Sequence, residues 1–235
     1  MNLLLFNVED RLDARRIAVG GRRLHHLQQV LRASAGDSIR VGEVGGNMGR
    51  GTIVEITTQR AVIELSADTP PPAKLALELI LALPRPKMLR RILRTVAECG
   101  IPRLHLVNSY RVEKSFWRSP ALAPDTIRGY LLQGLEQSRD TVLPEVVCHR
   151  LFRPFVEDTL PGLLAGRRAL LAHPGDYPPC PRDLDEPTVL VIGPEGGFIP
   201  YEVEKLQETG CRAVSLSPRI LRVETAVAVL LGRLA

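Results

Sequence analysis

Aromatic side chains are scarce in this chain of 235 residues, at 4% for Phe, Trp and Tyr together. Recognition of nucleic acid by ladders of stacked bases is therefore not expected. The four cysteines, Cys99, Cys148, Cys180 and Cys211, form no CxxC pair, and the five histidines show no metal-ligand spacing. We predict neither a metal site nor a redox motif, and such isolated thiols are typical of a reducing compartment.

The chain also lacks long hydrophobic runs and a recognisable leader. Its apolar stretches fall well below the roughly 18 residues that a membrane span needs. Glu9 and Asp10 follow a short apolar start, without a basic n-region or a cleavage signal, which argues against a secretory leader. We therefore expect a cytoplasmic protein without a membrane partner.

The balance of charge is basic, with a formal net charge of +5 and a sequence pI of about 9.3. A basic balance favours nucleic acid, a membrane surface or acidic ligands as partners, although a charge this small can serve solubility alone. A hydrophobic content of 45% is ordinary for a packed globular protein. The length allows one large domain or two modest ones.

The first 70 residues predict a small β-rich domain. Short strands within residues 39–65 are separated by the Gly45-Gly46-Asn47 turn, and residues 21–32 have helical spacing that places Leu24, Leu27 and Leu31 on one face. Residues 69–72, Thr-Pro-Pro-Pro, are typical of a stiff linker. We therefore expect one domain over residues 1–70 and a second over residues 71–235.

After the linker, apolar strands alternate with helices. We expect strands at residues 75–83, 104–107, 144–148, 169–173, 188–193 and 213–216, and helices at residues 87–99, 127–138, 201–209 and 223–234. This alternation predicts an α/β domain with a mostly parallel sheet.

A glycine-rich turn, residues 193–197, follows the strand at residues 188–193. Its sequence is Gly-Pro-Glu-Gly-Gly, at the carboxyl end of a strand, where open α/β sheets bind ligands. It is not GxGxxG, and no Lys-Ser or Lys-Thr follows, so the usual nucleotide-binding loops are disfavoured. Glu195 either binds a ligand hydroxyl or amine or helps to cap a helix. The plainer interpretation is a tight turn before a helix that begins near Pro200.

A second motif carries two arginines. Pro218 stiffens a loop in which Arg219 and Arg222 bracket Ile220-Leu221, and a strongly apolar helix follows. An arginine pair is often only solvated, but apolar neighbours on both sides favour a role in binding. Together the two motifs predict a small-molecule pocket with an anionic partner at its mouth.

These residues resemble the ribosomal RNA small subunit methyltransferase E family of the knotted SPOUT methyltransferases. That family carries signatures close to IGPEGG and LGPRILRTETA, which correspond here to residues 192–197 and 216–226, with Ser217 and Val223 as replacements. Weaker matches support the resemblance over nearly the whole chain, and they lie at residues 26, 30–32, 36–37, 98–101, 136–138, 144–146 and 171–174. The resemblance implies a PUA-like RNA-binding β-barrel followed by a trefoil-knotted α/β domain that forms a homodimer.

The resemblance also implies a cofactor, S-adenosyl-L-methionine (SAM), and no metal. Its binding residues would be Leu171, His173, Ile192, Gly193, Pro194, Glu195, Gly196, Gly197, Leu216, Ser217, Ile220, Leu221 and Thr225. The expected reaction is methylation of N3 of a uridine in the 16S ribosomal RNA of the small subunit.

The catalytic candidates follow from this chemistry. Arg222, and after it Arg219, would stabilise the uridine anion, because a guanidinium keeps its own proton. Glu224 would orient Arg222 or accept the imide proton. The residues expected to contact RNA are Arg22, Arg23, Arg32, Arg50, Lys87, Arg111 and Arg139.

Several positions depart from the family pattern. Pro84-Arg85 and Ser109-Tyr110-Arg111 replace its Lys-Gly and Ser-Glu-Arg, and Arg139-Asp140 replaces its Gly-Arg. Ser217 replaces a glycine, where a Cβ could crowd the cofactor or require a different φ. Three alternatives stay open: a paralogue that methylates another RNA, a catalytically inactive RNA-binding or assembly factor, and a sugar- or nucleotide-processing α/β enzyme.

Overall fold

The computed structural model describes residues 2–235, and their contacts divide them into two compact units. The first unit holds the described residues up to Ala73 together with Leu131–Leu143. The second holds Lys74–Tyr130 and Pro144–Ala235. No pattern in the sequence indicated that residues 131–143 pack with the first unit, and the domain boundary at residue 70 stays a prediction.

A five-stranded sheet in the order β1-β3-β4-β5-β2 forms the first unit. Its strands are β1 (Leu4–Phe6), β2 (Arg16–Val19), β3 (Ser38–Glu43), β4 (Met48–Ile56) and β5 (Ala61–Thr69). β1 pairs in parallel with β3, whereas the β3–β4, β4–β5 and β2–β5 pairings are antiparallel. Phe6, Ile17 and Ile63 are fully buried in its core. The strands expected within residues 39–65 are confirmed, while β1 and β2 are too short to show a period of two.

A short helix follows β2. α1 (Gly21–His25) continues as a π-helical turn over His26–Val30. The helix expected over residues 21–32 is thus shorter, and Leu31, expected on its apolar face, is 48% exposed. A π turn adds a residue to the helical repeat, which rotates Leu31 away from the face that buries Leu27.

Six parallel strands in the order β11-β9-β10-β6-β7-β8 form the sheet of the second unit. They are β6 (Leu77–Ala82), β7 (Arg103–Val107), β8 (Glu145–His149), β9 (Arg168–Ala172), β10 (Thr188–Ile192) and β11 (Arg212–Val214). Every residue of β6 and β10 is buried, as expected for a parallel sheet covered on both faces. The strands predicted from the apolar runs are confirmed.

The remaining α-helices are α2 (Pro86–Glu98), α3 (Pro124–Ser138), α4 (Phe152–Pro154), α5 (Leu160–Leu164), α6 (Pro200–Glu208) and α7 (Val223–Leu234). The predicted helices correspond to α2, α3, α6 and α7. α4 and α5, which are joined by a π turn over Phe155–Thr159, escaped prediction because Pro154 and Pro161 interrupt the helical pattern. Over residues 2–235, no helix has the length and apolar character needed to cross a bilayer.

The connection between β9 and β10 runs beside the last segment of the chain. The Cys180 N–H donates to the Ser215 carbonyl, and the Ser215 N–H donates to the Pro178 carbonyl, both at 2.8 Å. The Asp183 N–H donates to the Arg233 carbonyl at 3.0 Å. The connection is thereby attached to both ends of the segment that contains the arginine loop.

A buried charged cluster lies in the second unit. Glu78 of β6, 7% exposed, pairs with Arg167 at 2.6 Å and with Arg103 at 3.3 Å. Nε2 of His105 lies 3.3 Å from Glu78 Oε2, and Nδ1 of His105 lies 3.1 Å from Nε2 of His149. Burial opposes the charge of Glu78, but hydrogen bonds from Arg167 and His105 outweigh it and lower the pKa of the carboxyl.

Candidate active site

A cavity opens at the carboxyl ends of β9, β10 and β11. Three segments line it, namely the end of β9, the glycine turn after β10, and the loop and helix start after β11. The lining residues are Ala172, His173, Pro174, Ile192, Gly193, Pro194, Glu195, Gly197, Ser215, Leu216, Ser217, Arg219, Ile220, Leu221, Val223, Ala226 and Leu230. Open parallel sheets bind ligands at this end, and here the two sequence motifs meet.

The glycine turn requires glycine at two of its positions. A Cβ on Gly193 would lie 3.2 Å from the backbone nitrogen of Phe198 and 3.1 Å from its ring. Gly197 has a φ of 71°, in the left-handed region that glycine adopts without steric cost. Its N–H donates to the Pro194 carbonyl at 2.8 Å. The turn thus presents bare backbone to the cavity.

Glu195 connects the glycine turn to α2. Its Oε1 accepts a hydrogen bond from the backbone N–H of Arg85 at 3.0 Å, and Arg85 is the N-cap residue of α2. A carboxylate is favourable there, because the first N–H groups of a helix lack partners and carry positive partial charge. The side chain therefore caps a helix, and that helix is α2 rather than α6, which follows the turn.

Two basic side chains flank the turn. The Arg111 guanidinium donates to the Gly196 carbonyl, so this predicted RNA contact lies against the turn. His173 lines the cavity and packs edge-on to Tyr177, with ring centroids 6.0 Å apart. Burial, and then the positive charge of Arg111, lower the pKa of His173. Its imidazole is consequently neutral at pH 7 and can accept a hydrogen bond.

Ser217 organises the arginine loop, residues 216–222. Its Oγ accepts from the Arg219 N–H and donates to the Arg219 carbonyl, both at 3.0 Å. Ser217 does not have a positive φ, so the serine causes no backbone strain at this family glycine position. Ile220 also lines the cavity and is 83% exposed. The loop thus offers both a charge and an apolar surface at the rim.

α7 begins directly after this loop. Arg222 is its N-cap residue and is exposed, outside the cavity lining. Glu224 is half-buried in the first turn, and Thr225 is exposed. Arg219, the second candidate from the sequence, lines the cavity, whereas Arg222, the first, flanks it in the chain. The N-terminus of α7 adds positive partial charge at this end of the segment.

Most of the residues predicted to bind the cofactor line this cavity. Leu171, Gly196 and Thr225 do not, and Leu171 is fully buried in β9. The lining residues that were not among the predicted cofactor contacts or catalytic candidates are Ala172, Pro174, Ser215, Val223, Ala226 and Leu230. The last three have helical spacing, which places them on one face of α7, but nothing in that spacing separates a ligand face from a core face.

The basic residues predicted to contact RNA differ in their partners. Arg22 donates to both carboxylate oxygens of Glu136, at 2.5 and 2.9 Å. Arg23 donates to both oxygens of Asp10, at 2.6 and 2.7 Å. Both guanidiniums are therefore already paired with a carboxylate, whereas Arg32 and Lys87 are exposed side chains.

The structure also explains the aspartate at residue 140, where Arg139-Asp140 replaces the Gly-Arg of the family pattern. Asp140 is 3% exposed, and its Oδ1 accepts from the backbone N–H groups of Thr141 and Val142 at 2.6 and 3.0 Å. The anion at this position therefore fixes the chain locally, and Arg139 beside it is exposed.

Comparison with known proteins agrees with this arrangement. Residues 71–235 match the RNA methyltransferase domain family, and residues 19–66 match the RNA methyltransferase PUA domain. A relative named Ribosomal RNA small subunit methyltransferase E from Treponema pallidum is 29% identical over 96% of this chain and 87% of its own. A relative of the same name from Synechocystis is 29% identical over 90% of this chain and 70% of its own.

Solved structures show the same fold. Ribosomal RNA small subunit methyltransferase E from Neisseria gonorrhoeae, bound to S-adenosyl methionine, has a TM-score of 0.74 at 22% identity, covering 97% of this chain and 95% of its own. A Legionella pneumophila protein in complex with SAM has a TM-score of 0.75 at 19% identity, covering 98% and 95%. The expected fold class, a SPOUT-type α/β domain with a PUA-like β domain, is confirmed. Because the first family match covers more than half of the chain, this protein belongs to the RNA methyltransferase family.

Proposed function

We propose that this protein transfers the methyl group of SAM to N3 of a uridine in the 16S ribosomal RNA of the small ribosomal subunit. The observation that carries the proposal is the meeting of the glycine turn and the arginine loop at one cavity. The names of the relatives from Treponema pallidum and Synechocystis support a small-subunit RNA substrate. The SAM-bound relative from Neisseria gonorrhoeae supports the cofactor.

The residues around the cavity suit SAM, which supplies an activated methyl group when it is bound. Gly193 and Gly197 let backbone donors and acceptors approach a ligand closely. Ile192, Leu216 and Leu221 provide apolar surface of the kind that holds a flat base. A neutral His173 adds no positive charge of its own beside a sulfonium.

The arginines suit the activation of a uridine. N3 carries an imide proton and is a poor nucleophile until that proton leaves. A guanidinium stabilises the resulting anion without losing its own proton, and the α7 N-terminus acts in the same direction. In this proposal Arg219 and Arg222 perform that task, and Glu224 orients Arg222 or accepts the proton.

The substrate RNA would be held through its phosphates. Arg32, Arg50, Arg139 and Lys87 are exposed, which suits contacts that position RNA without reading its sequence. The proposal further includes a homodimer that acts in the cytoplasm on the small subunit. Val229 of α7 is an apolar side chain that is 45% exposed, and such a side chain suits a subunit contact.

A methylation assay tests the proposal. Purified protein, labelled SAM and small subunits from cells that lack this gene are combined, and the RNA is digested to nucleosides. We expect label in 3-methyluridine from 16S RNA. Arg219→Ala and Arg222→Ala should lower kcat by about 10²-fold, as loss of one anion-stabilising donor does. Arg153→Ala is the matched control, because the exposed Arg153 pairs only with Glu157 one helical turn away.

The other outcomes separate the alternatives. Label in a different nucleotide would identify a paralogue with another RNA substrate. RNA binding without SAM binding or label would identify a catalytically inactive RNA-binding factor. Absence of any RNA binding above weak, salt-sensitive association would favour a metabolic enzyme.

A further inference from the structure

A groove in the first unit combines an apolar floor with a basic rim. Its volume is about 490 Å³. The half-exposed Leu31 and the partly buried Ala33 and Ile39 offer the apolar surface of the floor, and the almost inaccessible Leu4 and Leu27 pack beneath them. The rim carries Arg40, Arg50 and Arg139. Guanidiniums favour anions and the floor favours a flat apolar surface.

Two of the rim arginines face each other across the sheet. Arg40 of β3 and Arg50 of β4 are directly opposite in the antiparallel register, an arrangement that repels in the absence of a bridging anion. Arg50 Nε donates to Ser38 Oγ at 3.0 Å, which fixes this side chain. Among residues 2–235 no carboxylate pairs with Arg40, Arg50 or Arg139. Asp37 lines the groove, but its Oδ2 accepts from the Ser34 N–H at 2.8 Å.

The third arginine holds an unfavourable backbone conformation. Arg139 has a φ of 61°, in the left-handed region that L side chains rarely adopt. The related family has a glycine at this place, and the neighbouring Asp140 fixes the chain through the Thr141 and Val142 N–H groups. Strained residues persist mainly where they serve a ligand. A ligand bound by this guanidinium in the groove would account for an arginine in this conformation.

We propose that this groove binds single-stranded RNA, with one base on the apolar floor and the adjoining phosphates on Arg40, Arg50 and Arg139. The inference rests on the proposed function and deepens it, since it names where the small unit holds the substrate RNA. A single strand fits because its bases are free to leave a stack and lie on a protein surface. Arg40, which no sequence motif indicated, becomes part of the RNA contact.

The test measures the affinity of the full chain for a labelled oligouridine of ten nucleotides by fluorescence anisotropy. Arg40→Gln and Arg139→Gly should each raise Kd by about fivefold and reduce the slope of log K against log salt by about 0.7. Arg139→Lys should keep most of the affinity, because it keeps the charge. Arg139→Gly should melt no lower than the parent protein, because glycine accepts a positive φ.

Two controls make the experiment specific. Arg60→Gln removes a cation of the same unit that pairs with Glu55 at 3.6 Å and lies outside the groove, and it should leave Kd unchanged. An abasic oligomer of equal length should bind more weakly than oligouridine, because it leaves the floor empty. SAM affinity should be equal in all variants.

The proposal is overturned if Arg40→Gln and Arg139→Gly bind oligouridine as the parent does, or if the abasic oligomer binds equally well. If the parent protein methylates RNA in the assay above, the proposed function then stands while the groove fails. A parent protein that neither binds nor methylates RNA removes both.

Discussion

Gly193 and Gly197 show how strongly single residues determine the site. Gly193→Ala should lower the free energy of unfolding by about 1–3 kcal/mol, because its Cβ would lie 3.2 Å from the Phe198 backbone nitrogen and the turn would have to shift. Gly197→Ala should cost about 1 kcal/mol through its positive φ. Both variants should weaken SAM binding, measured by calorimetry beside urea unfolding. In Gly129→Ala the new Cβ meets nothing within 4 Å, and helix propensity should stabilise this control by up to about 1 kcal/mol. Equal stability of all three variants would contradict the argument.

His173 gives a second prediction at the residue scale, one that depends on pH. Its pKa is lowered from the ordinary value of 6.5, first by burial and then by the charge of Arg111. The ring therefore becomes charged only at a pH below 6.5. The charge would then repel the sulfonium. We expect SAM affinity to be level near pH 7–8 and to fall as the pH drops below about 6.5. His173→Asn should remove this fall, and a fall that survives the substitution would assign it to another group.

At the scale of elements, the tie between the glycine turn and α2 carries its own prediction. Glu195→Ala removes the acceptor of the Arg85 N–H and should destabilise the start of α2 by about 0.5–2 kcal/mol. Hydrogen exchange of the first turn of α2 should rise, while the first turn of α6 exchanges as before. Glu195→Gln keeps an acceptor oxygen, so hydrogen exchange of the first turn of α2 should lie between that of the parent protein and that of Glu195→Ala. Unchanged exchange in α2 would show that the bond is dispensable.

The elements also show which parts of the structure a sequence reveals. β6 and β10 could be predicted because both faces are buried, which leaves a continuous apolar run. β1 and α4 could not, because three residues are too few for either period to appear. The prediction that the glycine turn and the loop at residues 216–222 form one site depends on the family resemblance, because their meeting requires the strand order around β9, which no local pattern encodes.

For the whole molecule, the buried cluster around Glu78 should make the free energy of unfolding decrease as the pH falls below neutrality. Burial lowers the pKa of His105 and of His149, so the unfolded chain binds more protons than the folded chain once the pH falls below about 6.5, and stability then declines. Glu78, whose pKa is also lowered, extends the decline at lower pH. Urea unfolding from pH 7.5 to 5 should therefore show a falling midpoint. Removing one imidazole in His149→Phe should make the decline shallower, and a level midpoint in the parent protein would contradict this.

The left-handed Arg139 also bears on how this chain can change over generations. A mutation to glycine at residue 139 relieves an unfavourable backbone conformation worth roughly 1–2 kcal/mol, so drift toward glycine is opposed only by whatever the guanidinium does. If Arg139 contacts RNA as proposed, a descendant that no longer binds this RNA should lose the arginine early, whereas the buried Asp140 beside it should persist with the fold. Under the proposed RNA contact, the identity of residue 139 would then report whether selection for RNA binding still acts in a lineage that carries this loop.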